Sequence, residues 1–405
     1  MKTMRPIRDT VPIDEALALL MQHAVPIARV ERIATADAMN RVLAEDVAST
    51  IDVPPFDRAA MDGYAVIAED TFGAGRYEPK VLSCVETVYT GDMPTRALAR
   101  GECVEIATGA PMPQGATAVV MVEETEKTSD KDVRVFTPVY PGQHVGRRGA
   151  DIVAGQTILR AGMMINPSRV GALAAAGILD IPVFARPRVA IVSTGNEIVE
   201  PGQPLKPGQI YDINRFTLSS IASAHGGVPV NRGTAPDTLE DLVAAIESMR
   251  DADVIVFSGG SSVGERDLIL DALQQAGEVI FHGVAVKPGK PTAFGRIGAT
   301  PVLGMPGYPT SCLSNGYILL VPLLRRIARL PDYQPHSIRV PLARRVVSTT
   351  GRHQFYTVRV EDGAAVPAFK ASGDITSMAH ADGYIEIPAQ TDLVEAGEIV
   401  EVKLF

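Results

Sequence analysis

Apolar residues change their spacing several times along the chain, and each change predicts a different kind of element. Between residues 14 and 24 they fall at positions 16, 17, 19, 20 and 21, the spacing of one helix face, with Thr10 or Asp14 available as a cap. From residue 28 the runs shorten. Segments 80–89, 101–107 and 118–123 are short and β-rich, and turn clusters such as TGAPMPQG (108–115) and TSDKD (128–132) separate or follow them. This predicts an all-β region over 58–139. An Ala-rich helix follows over 167–177, with Pro167 in its first turn.

Beyond residue 188 the pattern alternates between continuous apolar runs and helical spacing. The predicted helices cover 214–225, 237–249, 267–275 and 311–328, between runs such as Val254 to Phe257. A run with no polar alternation suits a strand buried on both faces of a parallel sheet. The last part, 332–405, returns to alternating strands at 337–345, 354–360, 383–387 and 399–404, which predicts a small β barrel or sandwich.

The α/β runs end alike. VIVFSGGSSVGERDL stops at Ser258, Gly259 and Gly260, with Ser262 and Gly264 following; RVAIVSTGNE stops at Thr194 and Gly195; PVLGMPGYPTS turns at Pro306 and Gly307. Backbone amides at such strand ends, with the N-terminus of the next helix, accept anions. VAVKPGKP adds Lys287 and Lys290 in a loop braced by prolines. Four such ends point to one anion site, against the alternative of plain strand-to-helix turns.

Composition narrows the class. The 405 residues exceed one hydrophobic core and imply several domains. A formal net charge of −9 argues against nucleic acid or an anionic membrane as main partner, so an anionic ligand must meet a local basic cluster. No apolar run is long enough to span a bilayer. Three scattered cysteines suit a reducing compartment, and Cys312 reads as a buried helix residue rather than a nucleophile. Arg147 and Arg148 face either solvent or an anion.

Carboxylates near the anion-binding turns supply the remaining chemistry. Glu197, Asp237 and Asp267 follow strands or turns of the α/β part, while Asp62 and Thr108 occupy tight turns of the N-terminal part. Beside phosphate such carboxylates call for a cation, and magnesium takes oxygen ligands. The alternatives remain open: Asp237 and Asp267 as helix N-caps, and Asp62 as a turn cap. Arg352 in GRHQFY and Ser372 in ASGD lie in loops of the last part.

Taken in order, PPFDRAAMDGYAV, TGAPMPQGA, VSTGNEI, SGGSSVGERD, VKPGKPTAF and MPGYPTS resemble the molybdopterin molybdenumtransferase family, to which the gephyrin C-terminal region is related. The resemblance implies a multidomain α/β plus β fold. It has a split N-terminal domain (1–57 and 140–187), an inserted β domain (58–139), a central open α/β sheet domain of molybdopterin-binding type (188–331) and a C-terminal β-barrel domain (332–405). It further implies a cytoplasmic homodimer that inserts molybdenum from molybdate into adenylated molybdopterin and releases AMP. Transient contact with a molybdopterin adenylyltransferase and with molybdoenzyme maturation proteins is part of the same expectation. Asp62, Thr108, Glu197, Asp237, Asp267, Lys287, Arg352 and Ser372 match functional positions, with Lys290 in the same loop. Glu197, Asp237 and Asp267 are the expected Mg²⁺ ligands. Rival readings are an adenylyltransferase-like enzyme, a non-catalytic cofactor carrier and tungstate handling.

Overall fold

A computed structural model describes residues 9–259 and 268–405. The chain divides into two compact units, one comprising residues 1–31, 40–42 and 183–405, the other residues 32–39 and 43–182. In the first unit six strands form one sheet in the order Val228–Ala235, Arg188–Thr194, Val254–Ser258, Thr300–Met305, Ala293–Ile297, Glu278–His282. The first four run parallel, as the alternation of runs predicts. The last two run antiparallel, so the sheet is mixed. Only two residues join Ile297 to Thr300, too few for the crossover that a parallel pair needs.

Val254–Ser258 is buried at every position, which explains its unbroken apolar run. Successive side chains point to opposite faces. Val254 and Val256 join a cluster with Val189, Ile191, Leu218, Leu324 and, from the helix Ile13–His23, Ala16 and Leu20. Ile255 and Phe257 join another with Val192, Leu242, Ile246 and Leu273. Each such burial contributes about 1.5–3 kcal/mol relative to exposure.

Two local expectations are corrected. The residue preceding the helix Ile13–His23 is Pro12 and no side chain caps it, so neither Thr10 nor Asp14 does; Asp14 and Glu15 place negative charge in its first turn instead. The helix expected over 311–328 is two, Pro309–Asn315 and Val321–Ile327, joined by the wide π turn Gly316–Leu320. Pro322 has no N–H for a regular helical bond, and the wider turn absorbs the gap.

The C-terminal sheet runs in the order Val286–Lys287, His353–Glu361, Gly383–Ile387, Ile399–Leu404, Ser337–Pro341, with Ala364–Pro367 pairing on His353–Glu361. Its first strand belongs to the lysine loop, more than 60 residues upstream of its partner. Val286 and Lys287 pair in parallel with His353 and Gln354.

In the second unit six strands order as Ala118–Met121, Gly63–Val66, Glu102–Ile106, Lys80–Val88, Asp132–Val135, Thr125–Lys127. The helix Pro167–Ala175 is capped by Asn166, whose side chain accepts from the Arg169 N–H. Arg147 and Arg148 do not await an anion. Arg147 pairs with Asp57 at 3.2 Å and Arg148 with Asp52 at 2.6 Å. Among the described residues no helix is long and apolar enough to cross a membrane.

Candidate active site

At the carboxyl ends of the parallel strands the backbone turns sharply, and the glycines there are required by what packs on them. Gly195 has φ +137°, and a Cβ on it would lie 2.7 Å from the Glu197 carboxylate, which folds back over the turn. Gly259 has φ +102°, and a Cβ there would meet the Thr194 carbonyl oxygen at 2.3 Å. Any side chain would therefore push the two strand ends apart.

These ends border a cavity of about 720 Å³. Its lining brings together Thr194, Glu197, Ser258, Gly259, Lys287, Lys290, Pro306, Gly307, Arg352 and Ser372, ten of the residues singled out in the sequence. Gly195 forms the turn beneath Glu197. Gly260, Ser262, Gly264 and Asp267 lie outside the described residues. Asp62 and Thr108 belong to the second unit, where the Thr108 N–H donates to Asp62 Oδ1 at 2.7 Å.

Asp237 sits between the strand Val228–Ala235 and the helix Leu239–Ser248. The N-cap of that helix is Thr238, whose side chain accepts from the Asp241 N–H, so the capping alternative for Asp237 is excluded. Asp237 Oδ1 is instead buried, with no hydrogen-bond partner among the described residues. Burial, and then the Glu197 carboxylate, raise its carboxyl pKa above the usual range. Two neighbouring carboxylates, one with an orphaned buried oxygen, fit a hard cation with oxygen ligands. Among the described residues no three His, Cys, Asp or Glu side chains cluster to hold a metal by themselves.

The basic side of the cavity is built differently. Gly289 O accepts from Asn315 Nδ2 at 2.8 Å and from Thr292 Oγ1 at 2.9 Å, which ties the lysine loop to the helix Pro309–Asn315. The Thr310 N–H donates to Ser372 O at 3.0 Å and fixes the ASGD loop to the same helix. Lys287 is joined to the C-terminal sheet through its pairing with Gln354.

Sequence reasoning missed two wall residues. Asn214 Nδ2 donates to Ser258 Oγ at 2.7 Å and to Gly307 O at 2.8 Å, linking two of the glycine turns. Asp212 is buried and accepts from Ser193 Oγ at 2.8 Å and from the Arg215 N–H at 3.1 Å. The signal was the polar pair in YDINR just before an apolar helical pattern. Cys312 is fully buried, 3.7 Å from Ser258 Oγ, and burial pushes its thiol up to about 12, so it is no nucleophile.

The chain matches three family models: the MoeA N-terminal region (domain I and II) over residues 11–177, a probable molybdopterin binding domain over 190–326, and the MoeA C-terminal region (domain IV) over 339–405. It is 37% identical over 376 residues to molybdopterin molybdenumtransferase 2 of Mycobacterium tuberculosis, covering 90% of this chain and 92% of the relative. To the molybdopterin molybdenumtransferase of Haemophilus influenzae it is 31% identical, covering 97% and 98%. The crystal structure of a molybdopterin biosynthesis MoeA protein from Pyrococcus horikoshii superposes with a TM-score of 0.84 at 42% identity, covering 98% of this chain and 99% of that one.

Proposed function

The chain belongs to the molybdopterin molybdenumtransferase (MoeA) family, and from that premise we propose how its cavity serves the transfer of molybdenum from molybdate into adenylated molybdopterin with release of AMP. The observation that carries the assignment of roles is the convergence of glycine turns, a carboxylate and three cationic side chains on one cavity. The turns at Thr194, Ser258, Gly259, Pro306 and Gly307 cradle the nucleotide and pterin phosphates. Lys287, Lys290, Arg352 and Ser372 receive molybdate and hold its oxygens against their own charges and hydroxyl. The substrate's sulfurs take the metal, and the protein supplies charge and position.

Glu197 and Asp237, with Asp267 in the same proposal, would hold a magnesium ion. When bound, that ion offsets charge on the phosphate oxygens of the leaving nucleotide. Asp62 and Thr108 complete the proposed set, and homodimeric assembly in the cytoplasm belongs to the same reading. The test is molybdenum insertion by purified protein given adenylated molybdopterin, molybdate and Mg²⁺, followed through AMP release. Wild type should turn over, with chelation of the metal abolishing the reaction and Lys287→Ala losing most of it. Full activity in Lys287→Ala and Asp237→Asn together would overturn the role assignments. Equilibrium sedimentation tests the dimer.

A further inference from the structure

The loop 348–352 between the C-terminal strands Val346–Val347 and His353–Glu361 carries Arg352 into the cavity lining. It also carries Thr349, to which the Lys287 ammonium donates a hydrogen bond of 2.6 Å. This loop is held on several sides. The Ser348 N–H donates to Asp392 O at 2.8 Å, Ser348 Oγ to Gln354 Oε1 at 2.9 Å, and the Gly351 N–H to Ala389 O at 2.7 Å. The His353 N–H donates to Ala285 O at 2.8 Å, beside the pairing of Lys287 with Gln354. Thr349 therefore stands at a fixed place relative to the Lys287 backbone.

We propose that Thr349 is a positioning residue for the oxyanion end of the cavity, an inference that rests on the reading of Lys287 as a molybdate-binding cation. A lysine stem is rich in rotamer entropy, and a partner that fixes the ammonium before the ligand arrives removes part of the ordering cost from binding. The kind of partner matters. A carboxylate would fix the ammonium and cancel its charge, as Asp57 does for Arg147. A hydroxyl accepts one of the three ammonium hydrogens and leaves the positive charge intact for an anion. Because Thr349 and Arg352 share one anchored loop, the same contact sets the distance between two cations that would otherwise drift apart by repulsion.

The experiment is steady-state molybdenum insertion with molybdate varied, together with equilibrium binding of molybdate, on the full chain of wild type, Thr349→Val and Thr349→Ser. Thr349→Val keeps the shape and removes the acceptor. It should raise the apparent KM and Kd for molybdate about tenfold with kcat within about twofold, because the cost of ordering the lysine then falls on binding. Thr349→Ser, which keeps the hydroxyl, should stay within about twofold of wild type. Unchanged molybdate affinity in Thr349→Val, a fall in kcat alone, or an equal loss in Thr349→Ser overturns the positioning role while the function of the site stands. A wild-type chain that neither inserts nor binds molybdate overturns the function and this inference together.

Discussion

The acidic and the basic sides of the cavity are satisfied to different degrees before any ligand arrives. On the acidic side Glu197 lines the cavity, and Asp237 beside it, outside that lining, keeps a buried oxygen with no partner among the described residues, its charge disfavoured by the Glu197 carboxylate. On the basic side Lys287 already has a neutral acceptor, and its loop is bonded to the helix Pro309–Asn315 and to the C-terminal sheet. One side is left short of positive charge, and the other has positive charge held ready. A partly exposed carboxylate with one buried, unpartnered oxygen costs some stability when charged, and a bound cation would offset that cost. A lysine held by a hydroxyl costs little and gains only when an anion binds. The two sides therefore call for opposite ligands, and opposite perturbations should separate them.

The largest effect should come from reversing the charge of the basic side. Lys287→Glu places a carboxylate where an oxyanion is to bind, and insertion activity should fall at least about 100-fold, the range seen when a charge-stabilising donor is removed from an active site. Folding should be little changed, because Lys287 lies at a strand edge and its backbone pairing with Gln354 does not need the ammonium. Circular dichroism would check that, and activity within tenfold of wild type would remove the basic side from the reaction.

The difference between the sides also explains how much of the site the sequence disclosed. The acidic side lies at the ends of two strands adjacent in space, of which Arg188–Thr194 announces its end by an apolar run stopping at Ser, Thr and Gly, while Val228–Ala235 turns polar after Val230. Glu197 and Asp237 were readable as carboxylates beyond a strand or turn, but not as neighbours, and nothing local told Asp237 from an N-cap until Thr238 took that role. Three of the four parallel strands of the sheet were readable, and Val228–Ala235 was not, because its apolar run stops after Val230. The antiparallel edge of the sheet was not readable either, because short links such as that between Ile297 and Thr300 reveal themselves only through register. On the basic side, the lysines were readable from the proline-braced loop. Their support was not: the strand Val286–Lys287 pairs with residues 353 and 354, and no period or spacing encodes a partner that far along the chain. Thr349 and Asn214 went unremarked for the same reason.

A smaller and more diagnostic effect is expected at the acidic side. Asp237→Asn keeps the shape and removes the charge. Activity should fall about tenfold if the carboxylate holds a cation, while the free protein should melt higher at pH 7 by about 1–3 °C, a gain kept small by the partial exposure of the group. The pH dependence follows from the raised pKa. A carboxyl that binds its proton more tightly when folded contributes stability below its unfolded value and loses it as pH rises through the folded one. The melting difference between variant and wild type should thus be largest at neutral pH and close as the medium is acidified. Added Mg²⁺ should raise the wild-type Tm and leave the variant unmoved. A variant that melts lower than wild type at pH 7 without metal would mean that Asp237 is satisfied, and the contrast between the two sides would fail.

The smallest effect should come from the wall that both sides share. Cys312 packs at full burial behind Ser258, which in turn accepts from Asn214. Cys312→Ala removes one sulfur from a packed position and should cost about 1 kcal/mol or less of stability beyond the transfer of that atom, because the hydrogen bond from Asn214 to Ser258 does not involve it. Insertion activity should remain within about twofold, since a thiol held protonated well above neutral pH takes no part as a nucleophile. Alkylation of the native protein should leave Cys312 unmodified and reach it only after unfolding, which mass spectrometry of peptides resolves. If Cys312→Ala instead abolished insertion while keeping the native melting temperature, a protein sulfur would have to share the metal with the substrate's own. The division of labour between charge on the protein and sulfur on the substrate would then be wrong.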